Sequence, residues 1–227
     1  MLNNWERPIH FTGGSFGDDD YIWMKDYLQL NGLVYQLVPI KTPYDKSSSV
    51  LDMGSIDTDK MYKTVMSWDL GSNGNPNIYH DPETRRQVIN YRTNLARLTE
   101  KLLEEGKKAE AKNVIDLAVS KFPVEKFGFY TLVDPFVNGY YKIGEQDKAR
   151  TLAESLIKKQ IEVLNYYKDA TKNFQNENYY EIAQNLEIFR TFLITMQENA
   201  DEEYYEKYRK VFNDWNTIYE RFGRDME

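Results

Sequence analysis

The sequence contains no cysteine among its 227 residues. This absence excludes disulfide bonds, thiol catalysis and cysteine-based metal sites, and it leaves the cellular compartment open because chains without thiols suit cytoplasm and periplasm alike. Histidine is almost as rare, with His10 and His80 as the only two in the sequence. Two isolated histidines do not indicate a zinc site, so we expect both to make structural hydrogen bonds.

Long apolar runs and basic clusters are also missing from the sequence. The longest apolar-rich stretch, GLVYQLVPI at 32–40, is too short to span a bilayer. The formal net charge of -7 would repel a phosphate backbone, and no cluster of Lys and Arg offsets it. We therefore expect neither nucleic-acid binding nor direct membrane insertion by this chain.

The residues that are present indicate a globular protein with two parts of different composition. Hydrophobic residues make up 41% of the chain and aromatic residues 15%, which is enough to build a core. Residues 1–80 hold most of the glycines and prolines and contain two strand-length stretches, RPIHF and LVYQLVPI. We expect these two stretches to pair, because a single strand leaves its backbone groups unsatisfied.

Helix signals appear in both parts of the chain. In residues 1–80, DDDYIWMKDYLQLNG and DTDKMYKTVMSW are predicted to be short helices, from the acidic residues at their starts and the Asn-Gly pair that ends the first. Asp81-Pro82-Glu83 predicts the start of a longer helix. Leu95, Leu98 and Leu102 share one face of that helix, and Gly106 ends it.

Two stretches of the helical part resemble each other: LLEEGKKAEAKNVIDLAVSKFP and YYKIGEQDKARTLAESLIKKQ. Gly106 and Ala111 in the first recur as Gly144 and Ala149 in the second, each glycine at a helix-to-helix turn. With Ala118 and Pro123, the first stretch matches a tetratricopeptide repeat. Two long helices, NYYEIAQNLEIFRTFLITMQEN and DEEYYEKYRKVFNDWNTIYERF, are predicted to complete the solenoid.

The predicted fold is therefore α+β and predominantly α. A small mixed α and β segment at 1–80 precedes a tetratricopeptide-like domain of antiparallel helical hairpins at 81–227.

One enzymatic motif is present near the N-terminus. Gly13, Ser15 and Gly17 match G-x-S-x-G, the nucleophile elbow of α/β-hydrolases, and His80 follows in the required order. That fold needs a large parallel sheet with repeated βαβ units, which this sequence lacks, so a flexible turn accounts better for the motif. The acidic run Asp18–Asp20 lacks the spacing of a calcium loop and is expected to cap a helix.

Tyrosine supplies the binding candidates, since the helical part contains doublets at 140–141, 166–167, 179–180 and 204–205. Neighbours on a helix point about 100° apart, so one ring of each doublet can enter the core while the other faces a groove or solvent. Exposed tyrosines suit peptide or sugar binding, whereas the alternative is rings that seal helix against helix. The repeat alignment places Asp134, Asn138 and Tyr141 on the concave side, and these are the predicted binding residues.

Five segments together resemble one family of membrane proteins: NNWERPIHF, KDYLQLNGLVYQLVPIK, DTDKMYKTVM, NPNIYHDPETRR and the GKKAEA hairpin. They are similar to the C-terminal extracytoplasmic region of a large family, common in Bacteroidetes, that resembles protein O-mannosyltransferases. In that family a multi-span region resembling lipid-sugar-dependent glycosyltransferases is followed by a soluble tail with tetratricopeptide-like helices. The resemblance implies that this chain is such a tail and that the catalytic acid belongs to the membrane region.

The expected function follows from that resemblance. The chain would be a non-catalytic periplasmic tail, without cofactor or metal, that docks a protein or glycan acceptor or the membrane region of its own parent. The alternative is a free-standing periplasmic helical-repeat module that binds peptide or glycan. These two hypotheses differ in what the reading frame upstream of Met1 encodes.

Overall fold

The computed structural model describes residues 7–12, 23–42 and 53–224. It divides into two compact units, residues 1–128 and 129–227. In the first unit, the helix at residues 58–66 packs against both helices of the following hairpin. The sequence-based boundary after residue 80 stays a prediction, and it falls within the first compact unit.

The described residues of the first unit form a four-stranded sheet. Its strands are His10–Thr12 (β1), Leu28–Asn31 (β2), Val34–Leu37 (β3) and Ser55–Ile56 (β4). They lie in the order β1-β3-β2-β4, with β3 antiparallel to both β1 and β2, and β4 parallel to β2. The predicted pairing of RPIHF with LVYQLVPI is confirmed, because β1 lies beside β3.

The helix predicted over DDDYIWMKDYLQLNG is wrong for its described residues. Lys25–Tyr27 forms a 3-10 turn and the next four residues form β2. Leu28 and Leu30 are 0% and 1% exposed and alternate with half-buried neighbours, which is the period of a strand. The Asn-Gly pair turns the chain into a hairpin instead of ending a helix, and Gly32 has the positive φ of +69° that such a turn requires.

Four α-helices follow in the first unit: Thr58–Met66 (α1), Pro82–Glu104 (α2), Lys108–Lys121 (α3) and Val124–Phe127 (α4). Both predicted helix starts are confirmed. The Asp57 side chain accepts a hydrogen bond from the Lys60 backbone N–H, and the Asp81 side chain accepts from the two N–H groups at the start of α2. Pro82 occupies the first helical position, as the sequence indicates.

α2 and α3 pack together as a hairpin that turns at Gly106, whose φ is +75°. Leu95, Leu98 and Leu102 are each no more than 1% exposed, so the predicted buried face is confirmed. Ala111, on α3, is fully buried as well. Small side chains let the two helices approach closely, which explains why alanine occupies this position.

The second unit is helical throughout its described residues. After a 3-10 turn at Tyr130–Val133, its helices are Asp134–Ile143 (α5), Gln146–Lys168 (α6), Lys172–Glu177 (α7), Tyr179–Glu198 (α8) and Glu202–Arg224 (α9). α5 and α6 form the second predicted hairpin, which turns at Gly144 with φ +89°, and Ala149 is fully buried. The two long C-terminal helices are also confirmed.

The core of the second unit forms where α6 and α8 meet. Leu156 and Ile157 of α6 are 0% exposed, and so are Phe189 and Phe192 of α8. α8 packs against α5 and α9 in addition. Within the described residues, no helix is both long enough and apolar enough to cross a bilayer.

Candidate functional site

The three predicted binding residues lie together on one face of α5, at the spacing that a shared helix face requires. That face is turned toward the end of α8, and each side chain forms a hydrogen bond there. We call these pairs the polar ladder: Asp134 with Thr195 at 2.5 Å, Asn138 with Asn199 at 3.0 Å, and Tyr141 with Asp201 at 2.7 Å. The ladder joins α5 to α8 and to the turn that follows it.

In the first pair of the ladder, the surroundings of the Asp134 carboxylate disfavour its charged form. Burial raises the pKa of Asp134, and the nearby charge of Glu198 raises it further, whereas the hydrogen bond from the Thr195 hydroxyl opposes both. A carboxylate with a raised pKa is held in surroundings that disfavour its charge.

In the last pair of the ladder, the buried Asp201 carboxylate also forms an ion pair with Arg150. The Asp201 side chain is 1% exposed, and Arg150 donates to both of its oxygens, from Nε at 2.8 Å and Nη2 at 2.6 Å. Burial alone would raise the pKa of Asp201, but the hydrogen bonds from Arg150 and Tyr141 outweigh it and lower the pKa. The guanidinium also lies 4.3 Å from the centre of the Tyr204 ring.

The contacts of this ion pair indicate a structural role. Burial and the hydrogen bond to Asp201 raise the pKa of the Tyr141 phenol, so the group stays protonated and is a poor general base. Because Arg150 and Tyr141 satisfy the Asp201 carboxylate, it has little capacity left for a ligand. The arrangement suits helix packing better than acid–base chemistry.

Three aromatic rings of the second unit are exposed away from the polar ladder. Tyr180 is 86% exposed, Tyr166 is 64% exposed and Phe174 is 37% exposed. Tyr166 lies at the end of α6, Phe174 lies in α7 and Tyr180 lies at the start of α8. We call these three exposed rings, with the residues that support them, the aromatic end. Along α6 it lies roughly 24 Å from Arg150, at about 1.5 Å per residue.

Buried or partly buried rings support the exposed ones. Tyr167 is 5% exposed and stacks on Phe174 with ring centres 6.0 Å apart. Burial and a hydrogen bond to the Glu181 carboxylate raise the pKa of Tyr167 to about 12. Tyr179 stacks on Tyr219 at 4.7 Å and shares a hydrogen bond with it. The exposed rings therefore stand on a fixed aromatic base.

The short helix α7 is fixed to the end of α6 by its own side chains. Gln175 is 5% exposed, and its Nε2 donates to the Tyr167 carbonyl at 2.8 Å. The Thr171 hydroxyl accepts from the Phe174 backbone N–H at 3.5 Å and caps α7. These contacts hold the Phe174 ring beside Tyr166, with ring centres 6.1 Å apart.

The segment around α7 is rich in amides. Residues 173–180 read NFQNENYY, so these eight positions hold four amide side chains and three aromatic rings. Basic residues at 168 and 172 and acidic residues at 169, 177 and 181 nearly balance in charge. Such a surface can stack on a flat apolar face and can donate or accept hydrogen bonds without favouring either sign of charge.

The tyrosine doublets behave partly as predicted. At 166–167 one ring is exposed and the other is buried, which confirms the expectation for that doublet. At 140–141, Tyr140 is buried while Tyr141 is half-buried and bonded to Asp201. The repeat alignment led to the α5 face. The doublets at 166–167 and 179–180 already indicated the rings of the aromatic end, and the amide-rich NFQNENYY segment between them is a second signal.

Of the other candidates from the sequence, the structure describes the two histidines but not the G-x-S-x-G motif or the acidic run. The His80 ring lies 4.9 Å from the Phe127 ring, and its Nε2 is 3.2 Å from the Asn73 carbonyl, so its structural role is confirmed. His10 lies in β1. The G-x-S-x-G motif and Asp18–Asp20 lie outside the described residues. Across residues 7–12, 23–42 and 53–224, no group of three or more potential ligands is placed to hold a metal ion.

The N-terminal part of the chain matches a known family model. Residues 1–60 match the family model of TMEM260-associated domain 2, where TMEM260 is a protein O-mannosyltransferase-like protein. The matched range contains all four strands of the sheet and the start of α1. The N-terminal part of the chain is therefore similar to a domain associated with a glycosyltransferase-like protein. The chain matches no curated protein and no solved structure.

Proposed function

We propose that this chain is a non-catalytic, extracytoplasmic region of a membrane glycosyltransferase-like protein and that it docks the acceptor of the transferred sugar. The match of residues 1–60 to TMEM260-associated domain 2 supports the link to such an enzyme. The resemblance of the later segments to the same kind of protein extends that link beyond residue 60. Docking is the role that helical hairpins commonly perform, because they present side chains without forming an active site.

The observation that carries the docking role is the aromatic end. Tyr166 and Tyr180 are large amphipathic side chains that are 64% and 86% exposed. Tyr166 packs on Phe174, and Tyr180 packs on Tyr179. Exposed aromatic rings that are held by other rings are characteristic of recognition surfaces. The two similar hairpins, turning at Gly106 and Gly144, support the finer proposal that the helices are of tetratricopeptide-like type.

Within this proposal, the polar ladder has a supporting role. Asp134, Asn138 and Tyr141 are the binding residues indicated by the sequence, yet their side chains bond to α8 and the turn after it. We assign them to the packing that holds the second unit together. Contact with the acceptor is assigned to the aromatic end instead.

The proposal is tested in cells that carry the gene, using the full-length gene product. The double variant Tyr166→Ala with Tyr180→Ala is compared with Tyr79→Ala, which alters a tyrosine that is 80% exposed in the first unit. Glycoproteomics measures which proteins receive O-linked sugar, and immunoblotting checks that each variant reaches the level of the unaltered protein. The expected result is reduced modification of acceptors with the double variant alone. Unchanged modification would contradict the docking role.

A free-standing module that binds peptide or glycan is the second candidate, because the aromatic end would serve that role equally well. The two candidates differ upstream of Met1. A reading frame that encodes a series of apolar spans supports the glycosyltransferase-associated region. A signal peptide alone supports the free-standing module.

A further inference from the structure

We propose that the aromatic end binds a neutral oligosaccharide. This inference rests on the geometry and chemistry of that surface and does not require the glycosyltransferase connection. It specifies a ligand class for a site that neither the family match nor the resemblance assigns.

The exposed rings match the apolar faces of sugars. A pyranose presents a flat patch of C–H groups on one face and hydroxyl groups around its rim. Tyr166 and Tyr180 offer flat apolar bodies with polar tips, and they are 64% and 86% exposed. Phe174, packed edge-on against Tyr166 at 6.1 Å, extends the same apolar surface. Tyr180 packs on Tyr179 and directly precedes Glu181, which bonds to Tyr167. More than one exposed ring in this region favours a chain of sugars over a single one.

The polar side chains around the rings match hydroxyl groups. A sugar hydroxyl both donates and accepts hydrogen bonds, and an Asn or Gln amide does the same. Asn165 and Asn173 are exposed and Asn176 is half-buried, whereas the Asn178 amide already donates to the Phe174 carbonyl. A ligand with many hydroxyl groups therefore finds complementary partners next to the stacking rings.

The charge of the surface favours a neutral ligand. Lys168 and Lys172 are countered by Asp169, Glu177 and Glu181, so neither sign dominates. A polyanionic glycan would meet three carboxylates there, and anionic lipid is further disfavoured by the net charge of -7 on the whole chain. An uncharged oligosaccharide pays no such electrostatic penalty.

The surface is ordered before a ligand arrives. Gln175 joins α7 to α6 at 2.8 Å, the Tyr167 hydroxyl bonds to Glu181, and Tyr179 stacks on Tyr219 at 4.7 Å. Weak sugar contacts give measurable affinity only where little conformational entropy is lost on binding. A stacking surface with a fixed base meets that requirement.

The experiment uses the purified chain and four neutral probes: mannopentaose, cellopentaose, xylopentaose and penta-N-acetylchitopentaose. Pentagalacturonate serves as the acidic comparison, and a Tyr- and Asn-rich unstructured peptide serves as the protein comparison. Isothermal titration calorimetry and ¹H–¹⁵N NMR shifts measure binding. We expect at least one neutral probe to bind, with shifts at residues 165–181, and neither comparison ligand to match it.

The variants localise the binding. Tyr180→Ala and Tyr166→Ala should each weaken it about tenfold, the loss expected for one aromatic contact of about 1.4 kcal/mol. Tyr79→Ala, which alters a tyrosine that is 80% exposed in the other unit, should leave it unchanged. Circular dichroism confirms that the variants fold. No neutral probe binding at millimolar concentration, equal losses from Tyr79→Ala, or tighter binding of pentagalacturonate or peptide would each overturn the inference.

The outcome is separable from that of the proposed function. Neutral glycan binding with unchanged acceptor modification in cells would uphold this inference and contradict acceptor docking. Reduced acceptor modification without glycan binding would do the reverse.

Discussion

Arg150 forms a two-point ion pair with the buried Asp201 carboxylate, with Nε 2.8 Å and Nη2 2.6 Å from its two oxygens. Arg150 lies near the start of α6, and Asp201 directly precedes α9. The Tyr141 hydroxyl donates to the same carboxylate from α5. One acidic side chain thus connects three helices of the second unit.

Replacing Asp201 with Asn should destabilise the second unit. The substitution leaves Arg150 with only the exposed Glu203 carboxylate, 3.2 Å from Nη2, as a charged partner. The loss of the two charge-assisted hydrogen bonds to the buried Asp201 carboxylate costs about 1–3 kcal/mol of unfolding free energy. Urea denaturation at pH 7, followed by circular dichroism, measures the loss. A variant as stable as the unaltered chain would show that the ion pair contributes nothing net.

The pH dependence of this contribution has a definite sign. Because the pKa of folded Asp201 is lowered from its ordinary value of 3.8, its stabilising effect is present above that value and is lost as the pH falls through the folded pKa. The stability gap between the unaltered chain and Asp201→Asn should therefore narrow in strong acid.

Replacing Asp134 with Asn should have the opposite effect at pH 7. Burial raises the pKa of Asp134, so its favourable contribution is present below 3.8 and is lost as the pH rises through the folded pKa. An amide oxygen can still accept the Thr195 hydrogen bond without carrying a charge. The variant should be at least as stable as the unaltered chain at pH 7, and any gain should shrink near pH 3. A clear loss at pH 7 would refute the electrostatic assignment.

Gln160 should be replaceable with a gain in stability. It lies in the core of α6 with 0% exposure, and within the described part of the chain neither atom of its amide has a hydrogen-bond partner. Gln160→Met keeps the shape and removes the unsatisfied amide, for a gain of about 1–3 kcal/mol. Gln197→Met, at an exposed position of α8, is the matched control and should change little. If Gln160→Met destabilises the protein, the amide has a partner such as a bound water.

Any side chain at position 32 should destabilise the protein. Its φ of +69° favours glycine, and an added Cβ would lie 2.9 Å from the Trp68 ring. Gly32→Ala should cost about 1–2 kcal/mol from the backbone and more from the displaced ring. Gly71→Ala, with φ +51° and open space around the position, measures the backbone cost alone. Equal losses from both variants, by thermal denaturation with tryptophan fluorescence, would show that the Trp68 contact is unimportant.

Local chemistry explains which parts of the fold could be predicted. The helix starts at Asp57 and Asp81 depend on side chains one to three residues away, so the sequence predicts them directly. β2 could not be assigned in this way, because Asn31-Gly32 suits a helix end and a hairpin turn alike. What decides between them is the pairing of β2 with β3 and β4, which involves residues elsewhere in the chain.

In the candidate site, too, features that depend on nearby residues could be predicted and those that depend on distant residues could not. Spacing alone places Asp134, Asn138 and Tyr141 on one face of α5. Whether that face binds a partner or packs internally depends on residues about 60 positions later, such as Asp201, which helix periodicity cannot relate to α5. At 166–167 one tyrosine ring is buried and the other is exposed, as predicted, because that prediction needs only the geometry of a single helix.

The most direct test of the central claim is photo-crosslinking in living cells from position 180. A photoreactive phenylalanine analogue replaces Tyr180 in the full-length gene product, and the same analogue at Tyr79, which is 80% exposed, serves as control. Mass spectrometry identifies the adducts. Acceptor docking predicts that position 180, but not position 79, crosslinks to proteins that carry the O-linked sugar. Crosslinks to unmodified proteins alone, or the same adducts from both positions, would contradict the claim.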